Sequence, residues 1–144
     1  MFILDTDHLG IIQRQNGVEF ERLRQRLQQH DESAFFVTIV SFHEQLQGWQ
    51  AYIARAKKEE SVSHGYTRLE GILSDFSLAQ VLPYASAAVD VFNELRQKRI
   101  RIGTMDLRIG AIALANRMTV LTRNSIDFSR IPGLPFEDWT GTVS

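Results

Sequence analysis

Phe2-Ile3-Leu4-Asp5-Thr6-Asp7 is the stretch on which the reading of the fold turns. Three consecutive apolar residues cut off by a carboxylate suit a short strand buried on both faces. Two later runs read the same way: 34–38 (Ala-Phe-Phe-Val-Thr) and 118–122 (Met-Thr-Val-Leu-Thr), with 79–82 as a weaker fourth. Between them the apolar period becomes helical. Phe42, Leu46, Trp49, Ile53 and Ala56 advance by fours and threes, and Val62, Tyr66, Leu69, Leu73 and Phe76 repeat the rhythm. Ala88, Val91, Phe92 and Leu95 give a third stripe, and Leu107 to Leu114 is apolar nearly all round. Strands alternating with helices predict an α/β fold whose parallel sheet is covered on both faces. The polar break at 55–61 separates two consecutive amphipathic helices, expected as an antiparallel hairpin beside the sheet. Its apolar edge is either core or a surface for a partner.

The chain of 144 residues fits one domain over 1–144, since no repeat, low-complexity tract or Pro/Gly-rich linker divides it. There is no cysteine, which excludes disulfides, thiolate zinc sites, iron–sulfur clusters and cysteine nucleophiles. No apolar run approaches the roughly 18 residues of a membrane span, and the N-terminus lacks the basic start of a secretory signal. A cytoplasmic protein without membrane attachment is expected. A net charge of −1 means that any nucleic-acid binding must come from a local patch.

In a parallel α/β sheet, sites form beyond the carboxyl ends of the strands. The residues directly after strands here are Asp5-Thr6-Asp7; Thr38, Ser41 and Glu44; and Arg123, Asn124 and Asp127. Asp106 opens the apolar helix that follows Gly103-Thr104. Carboxylates from distant parts of the chain can therefore meet at one mouth. Clustered carboxylates repel unless a cation lies between them, and an all-oxygen set favours Mg²⁺ or Mn²⁺. Metal-assisted phosphodiester hydrolysis is the natural use. Each acid also has a plainer role. Asp5 could end a strand, Ser41-Phe42-His43-Glu44 matches a capping box, Asp106 suits the helix dipole, and Asp127 could cap a turn. Arg123, beside the mouth, is the best single candidate to grip a phosphate. The four histidines, His8, His30, His43 and His64, lie in separate segments and read as ordinary surface or core residues. No zincin helix, nucleotide-binding glycine motif or serine nucleophile elbow occurs.

Phe2-Ile3-Leu4-Asp5-Thr6-Asp7, Glu44, Gly103-Thr104-Met105-Asp106, Leu121-Thr122-Arg123-Asn124-Ser125-Ile126-Asp127-Phe128 and the tail Ile131-Pro132-Gly133-Leu134…Glu137-Asp138-Trp139 occur in that order. This pattern resembles the PIN-domain ribonucleases, most closely the VapC-type toxins of bacterial toxin–antitoxin pairs. The resemblance implies a three-layer α/β/α sandwich and Mg²⁺- or Mn²⁺-dependent endonucleolytic cleavage of RNA. It also implies homodimerisation and inhibition by a cognate antitoxin. It assigns Asp5, Glu44 and Asp106 to the metal, with either Asp127 or the amide oxygen of Asn124 completing the site. Asp7, Thr104 and Asn124 would orient those ligands.

Two other readings compete. Asp5-Thr6-Asp7 also fits a haloacid-dehalogenase-like phosphohydrolase, although that chemistry needs a placed lysine and the chain has only Lys57, Lys58 and Lys98. An asparagine at 124 where many relatives carry an acid leaves room for a non-catalytic PIN-like module that binds RNA or protein.

Overall fold

The computed structural model describes residues 1–141; residues 142–144 of the expected domain lie outside the described residues. Five strands form one sheet: β1 (Phe2–Leu4), β2 (Phe35–Thr38), β3 (Val81–Leu82), β4 (Thr119–Leu121) and β5 (Phe136–Glu137). Their order is β3-β2-β1-β4-β5 and every pairing is parallel. The chain therefore runs outward from β1 to β3 on one side, then crosses back to β4. The order reverses between β1 and β4, where a parallel sheet opens a crevice at its carboxyl ends.

Alternation along the strands distributes side chains to two cores. Ile3, Phe36 and Val120 pack on one face with Leu107, Ile109 and Ile112. Leu4, Val37 and Leu121 pack on the other with Leu9, Leu23 and Phe76. The first layer holds α5 (Ser86–Gln97), α6 (Thr104–Asn116) and the short α7 (Ser125–Phe128). The second holds α1 (Thr6–Arg14), α2 (Val18–Leu27) and most of the pair α3 (Ile39–Arg55) and α4 (Glu59–Leu78). This is the three-layer α/β/α arrangement. No helix is long and apolar enough to cross a membrane among the described residues.

β3 and β4 are shorter than the expected 79–82 and 118–122, α1, α2 and β5 are additions, and three further details depart from the sequence expectation. β2 is one residue shorter, because Asp31 accepts from Ser33 N–H and turns Glu32–Ala34 into a 3-10 helix. The second hairpin helix starts at Glu59, inside the polar break, where Glu59 and Glu60 suit the positive end of its dipole. Its buried face is also rotated by one position. Tyr66 and Leu73 are exposed, while Gly65, Ile72 and Phe76 face inward. Gly65 sets that face: a Cβ there would run into Ile53 of α3, so only glycine lets the two helices approach at this point.

Candidate metal centre

Three strand ends build the site. β1 passes directly into α1 with Asp5 as the cap, its Oδ1 accepting from Thr6 N–H at 2.8 Å. The plain role and the site position thus coincide in this residue. Asp5 N–H still donates to Leu121 O of β4 at 2.9 Å, so the carboxylate is fixed by the sheet itself. Its Oδ2 accepts from the buried Thr122 hydroxyl at 2.8 Å, and Thr122 Oγ1 accepts in turn from Asn124 N–H at 2.9 Å.

β2 also runs straight into a helix. Thr38, not Ser41, is the cap of α3, its Oγ1 accepting from Ser41 N–H at 3.1 Å. The capping-box reading of Glu44 therefore fails. The carboxylate instead reaches across to α1, where Glu44 Oε1 accepts from Thr6 Oγ1 at 2.9 Å, and the same hydroxyl lies 2.9 Å from Ser41 Oγ. Asp106 projects from the first turn of α6. One ligand oxygen from each of Asp5, Glu44 and Asp106 lies within 4.8 Å of the other two, the one such group of three among the described residues.

The other expected residues surround this trio. Asn124 donates through Nδ2 to Asp106 Oδ2 at 3.0 Å and to Asp127 Oδ2 at 3.1 Å. Its nitrogen, rather than its oxygen, faces the acids. Asp127 stands outside the trio, with Oδ1 3.8 Å from Arg130. Asp7 accepts from Arg123 N–H at 3.0 Å and contacts His8 Nδ1 at 2.7 Å. Arg123 is exposed, and Thr104 is exposed at the first position of α6. Together Asp5, Thr6, Asp7, Glu44, Asp106 and Asn124 line an open cavity of about 340 Å³. A larger one of about 560 Å³, lined by Leu9, Ile12, Phe35 and Leu78 among others, gathers no comparable cluster.

The electrostatics follow from this crowding. Burial is the first cause that pushes the Asp5 carboxyl up to about 7, and the Asp7 charge adds to it against the Thr122 and Thr6 hydrogen bonds. Burial also raises Glu44, opposed by the Thr6 hydroxyl and reinforced by Asp106. Asp106 is raised by burial and then by Asp127, with the Asn124 amide opposing. Carboxylates that resist ionisation together fit a divalent cation with oxygen ligands, which relieves all three at once.

No family model matches the chain. Sequence comparison finds Ribonuclease VapC2 of Rickettsia felis, 34% identical over 92 residues, 60% of this chain and 63% of that protein. Ribonuclease VapC of Rickettsia bellii is 36% identical over 86 residues, 57% of this chain and 62% of that protein. The alignments thus span less than two-thirds of these relatives. Over nearly the full length, the fold matches a chain of the DNA-bound VapBC crystal structure from Salmonella typhimurium. That match has a TM-score of 0.72 and 25% identity, and covers 96% of this chain and 97% of the other. The chain is thus similar in sequence to ribonucleases named VapC and in fold to a chain of a VapBC complex. Two observations weigh against the phosphohydrolase alternative. The second aspartate of Asp5-Thr6-Asp7 is engaged by His8 and a backbone N–H, and the relatives carry the ribonuclease name.

The sequence reading misses Thr6, Thr122 and His8. The hydroxyls have a visible signal, since each follows a strand at the carboxyl end of the sheet. His8 has none, because its second partner is the backbone of Trp139.

Proposed function

We propose that the protein is a divalent-metal-dependent endoribonuclease acting as the toxin of a toxin–antitoxin pair. The observation that carries this reading is the convergence of Asp5, Glu44 and Asp106 at the point where the strand order reverses. The VapC ribonucleases it resembles supply the substrate class, RNA. The VapBC assembly that shares its fold supplies the partner class, a cognate antitoxin. One domain over 1–144, a homodimer and a cytoplasmic location belong to the same reading.

Asp5, Glu44 and Asp106 would hold Mg²⁺ or Mn²⁺. When bound, such an ion neutralises charge on a phosphodiester and acidifies water for attack. The chain's own contribution is orientation. Thr122 and Thr6 fix Asp5, Thr6 fixes Glu44, and Asn124 holds Asp106 beside Asp127 without leaving two bare charges face to face. Asp127 acts on the site through that amide. Arg123, exposed at the rim, grips a phosphate of the RNA. Asp7 orients the residues after β4, and Thr104 starts the helix that delivers Asp106.

Asn124 is the observation that favours the non-catalytic module, because an amide stands where an acid could add a ligand. Incubating purified, antitoxin-free protein with RNA in Mn²⁺ or Mg²⁺, against EDTA and beside Asp106→Asn, separates the two. Cleavage that needs the metal and disappears in the variant supports the ribonuclease. Intact RNA in every lane supports the binding module.

A further inference from the structure

His8 is fully buried, yet it carries two ring nitrogens that need partners. It sits in the first turn of α1, three residues after Asp5. Nε2 lies 3.1 Å from the backbone nitrogen of Trp139, a group that can only donate. Nε2 must therefore accept, which places the ring proton on Nδ1. Nδ1 lies 2.7 Å from Asp7 Oδ1 and donates to it. The other oxygen of Asp7 accepts from Arg123 N–H at 3.0 Å. One line of hydrogen bonds thus runs from the segment after β5, through His8 and Asp7, into the residues after β4. Those same residues carry Thr122 and Asn124, which hold Asp5 and Asp106.

The far end of this line is firmly anchored. Trp139 is 2% exposed, its ring stacks on His30 at 5.4 Å and an interplanar angle of 17°, and Arg26 lies 4.7 Å over it. The Trp139 backbone is consequently a fixed point. Asp7, by contrast, is partly exposed and has Asp5 and Asp106 as acidic neighbours that its charge disfavours. Its Oδ2 also accepts from the Thr122 hydroxyl at 3.3 Å, so without His8 only Oδ2 of the carboxylate stays tethered. A donor at Nδ1, held from behind, keeps it in place.

We propose that His8 is a positioning residue for the acidic site: it ties the Glu137–Thr140 segment to Asp7 and so fixes the Arg123–Asn124 backbone against Asp5 and Asp106. This rests on the metal-binding reading above. It assigns a role in the site to the docked C-terminal segment, which contributes no ligand to the group of three.

The two nitrogens can be tested separately. In His8→Asn the side-chain amide can occupy the position of Nδ1 and still donate to Asp7, but nothing reaches Trp139. In His8→Gln the longer amide can still accept from Trp139, but the donor to Asp7 is gone. Mn²⁺ affinity of the folded proteins, measured by calorimetry, should fall about tenfold in His8→Gln, which loses the donor to Asp7, and by a smaller factor in His8→Asn, which keeps that donor but loses its anchor at Trp139. Arg123 amide exchange should quicken in both variants, and more in His8→Gln. Equal Mn²⁺ affinity in wild type and folded His8→Gln overturns the inference while leaving the metal reading intact. Wild-type protein that holds no Mn²⁺ overturns both. Should either variant fail to fold, the ¹⁵N spectrum of the wild-type imidazole still decides. An Nδ1–H tautomer is expected. An Nε2–H tautomer, or a doubly protonated ring turned toward Asp138, 3.7 Å from Nε2, removes the relay.

Discussion

The two ends of α6 are built on opposite principles. Its first turn carries Asp106 into a mouth where three carboxylates crowd one another and are each harder to ionise than in water. The turns behind it carry Leu107, Ile109, Gly110, Ala111, Ile112 and Ala113, all buried against the sheet and the segment after α7. One end lowers stability and, on the proposed function, supplies the chemistry, and the other supplies stability alone. A helix so firmly packed can hold a charged residue where it is electrostatically unwelcome. Substitutions at the two ends should therefore separate function from stability.

The largest effect is expected at the mouth. Asp106→Asn should lower metal-dependent RNA cleavage by about a thousandfold, on the scale of a lost electrostatic contact at a reacting phosphate. The melting temperature of the metal-free protein should not fall. A variant that cleaves at the wild-type rate would place the chemistry elsewhere.

Asp5 gives the clearest pH signature. Its carboxyl lies at about 7 in the fold against 3.8 for the free group. Between those values the folded state holds more protons than the unfolded chain, so stability declines as pH rises through this window. Above about pH 7 the cost is fully present, up to about 4 kcal/mol when no cation is bound. In EDTA at pH 8, Asp5→Asn should accordingly unfold at higher urea than wild type, with Thr122 Oγ1 accepting from the new amide. Mn²⁺ should stabilise the wild type and leave the variant unchanged. A metal-free wild type that gains stability from pH 4 to pH 7 would contradict this.

Gly110→Ala probes the other end of the helix. The added Cβ would lie 2.5 Å from Ile131 Cδ1, inside a core with no space for it. Overpacking of this kind costs roughly 1–3 kcal/mol. Urea denaturation should show that loss, while Mn²⁺ affinity of the folded variant should match wild type. A parallel loss of Mn²⁺ binding would mean that the two ends of α6 are not independent.

What the sequence discloses follows the same division. Asp5 is legible because packing alone seldom stops a buried apolar strand at a carboxylate. Asp106 is legible only as one of several acids, and the helix dipole offers it an equally good reason to be there. Glu44 is ambiguous because a capping box and a site acid share one spelling. The structure separates them by starting α3 at Ile39, one turn earlier than that box requires. The α3 stripe is visible in its period and α6 in its nearly continuous apolar run, but the buried face of α4 is not, since Gly65 has no side chain to mark it. α1, α2 and β5 escape for a different reason. The first two are short helices that start close behind a strand or a glycine, and β5 is two residues whose only claim to be a strand is the neighbouring β4. Asn124 shows the remaining limit. Its presence is readable, but which end of the amide faces Asp106 depends on where Asp127 and Asp106 come together in space.

Whether Asp5, Glu44 and Asp106 form one cation site is decided most directly by manganese titration followed by electron paramagnetic resonance. The wild-type protein is titrated beside Glu44→Gln, whose cleft is otherwise unchanged. Saturable loss of the free Mn²⁺ signal in the wild type, weakened at least tenfold in the variant, is the expected result. Folded wild-type protein that leaves the free Mn²⁺ signal untouched would contradict it.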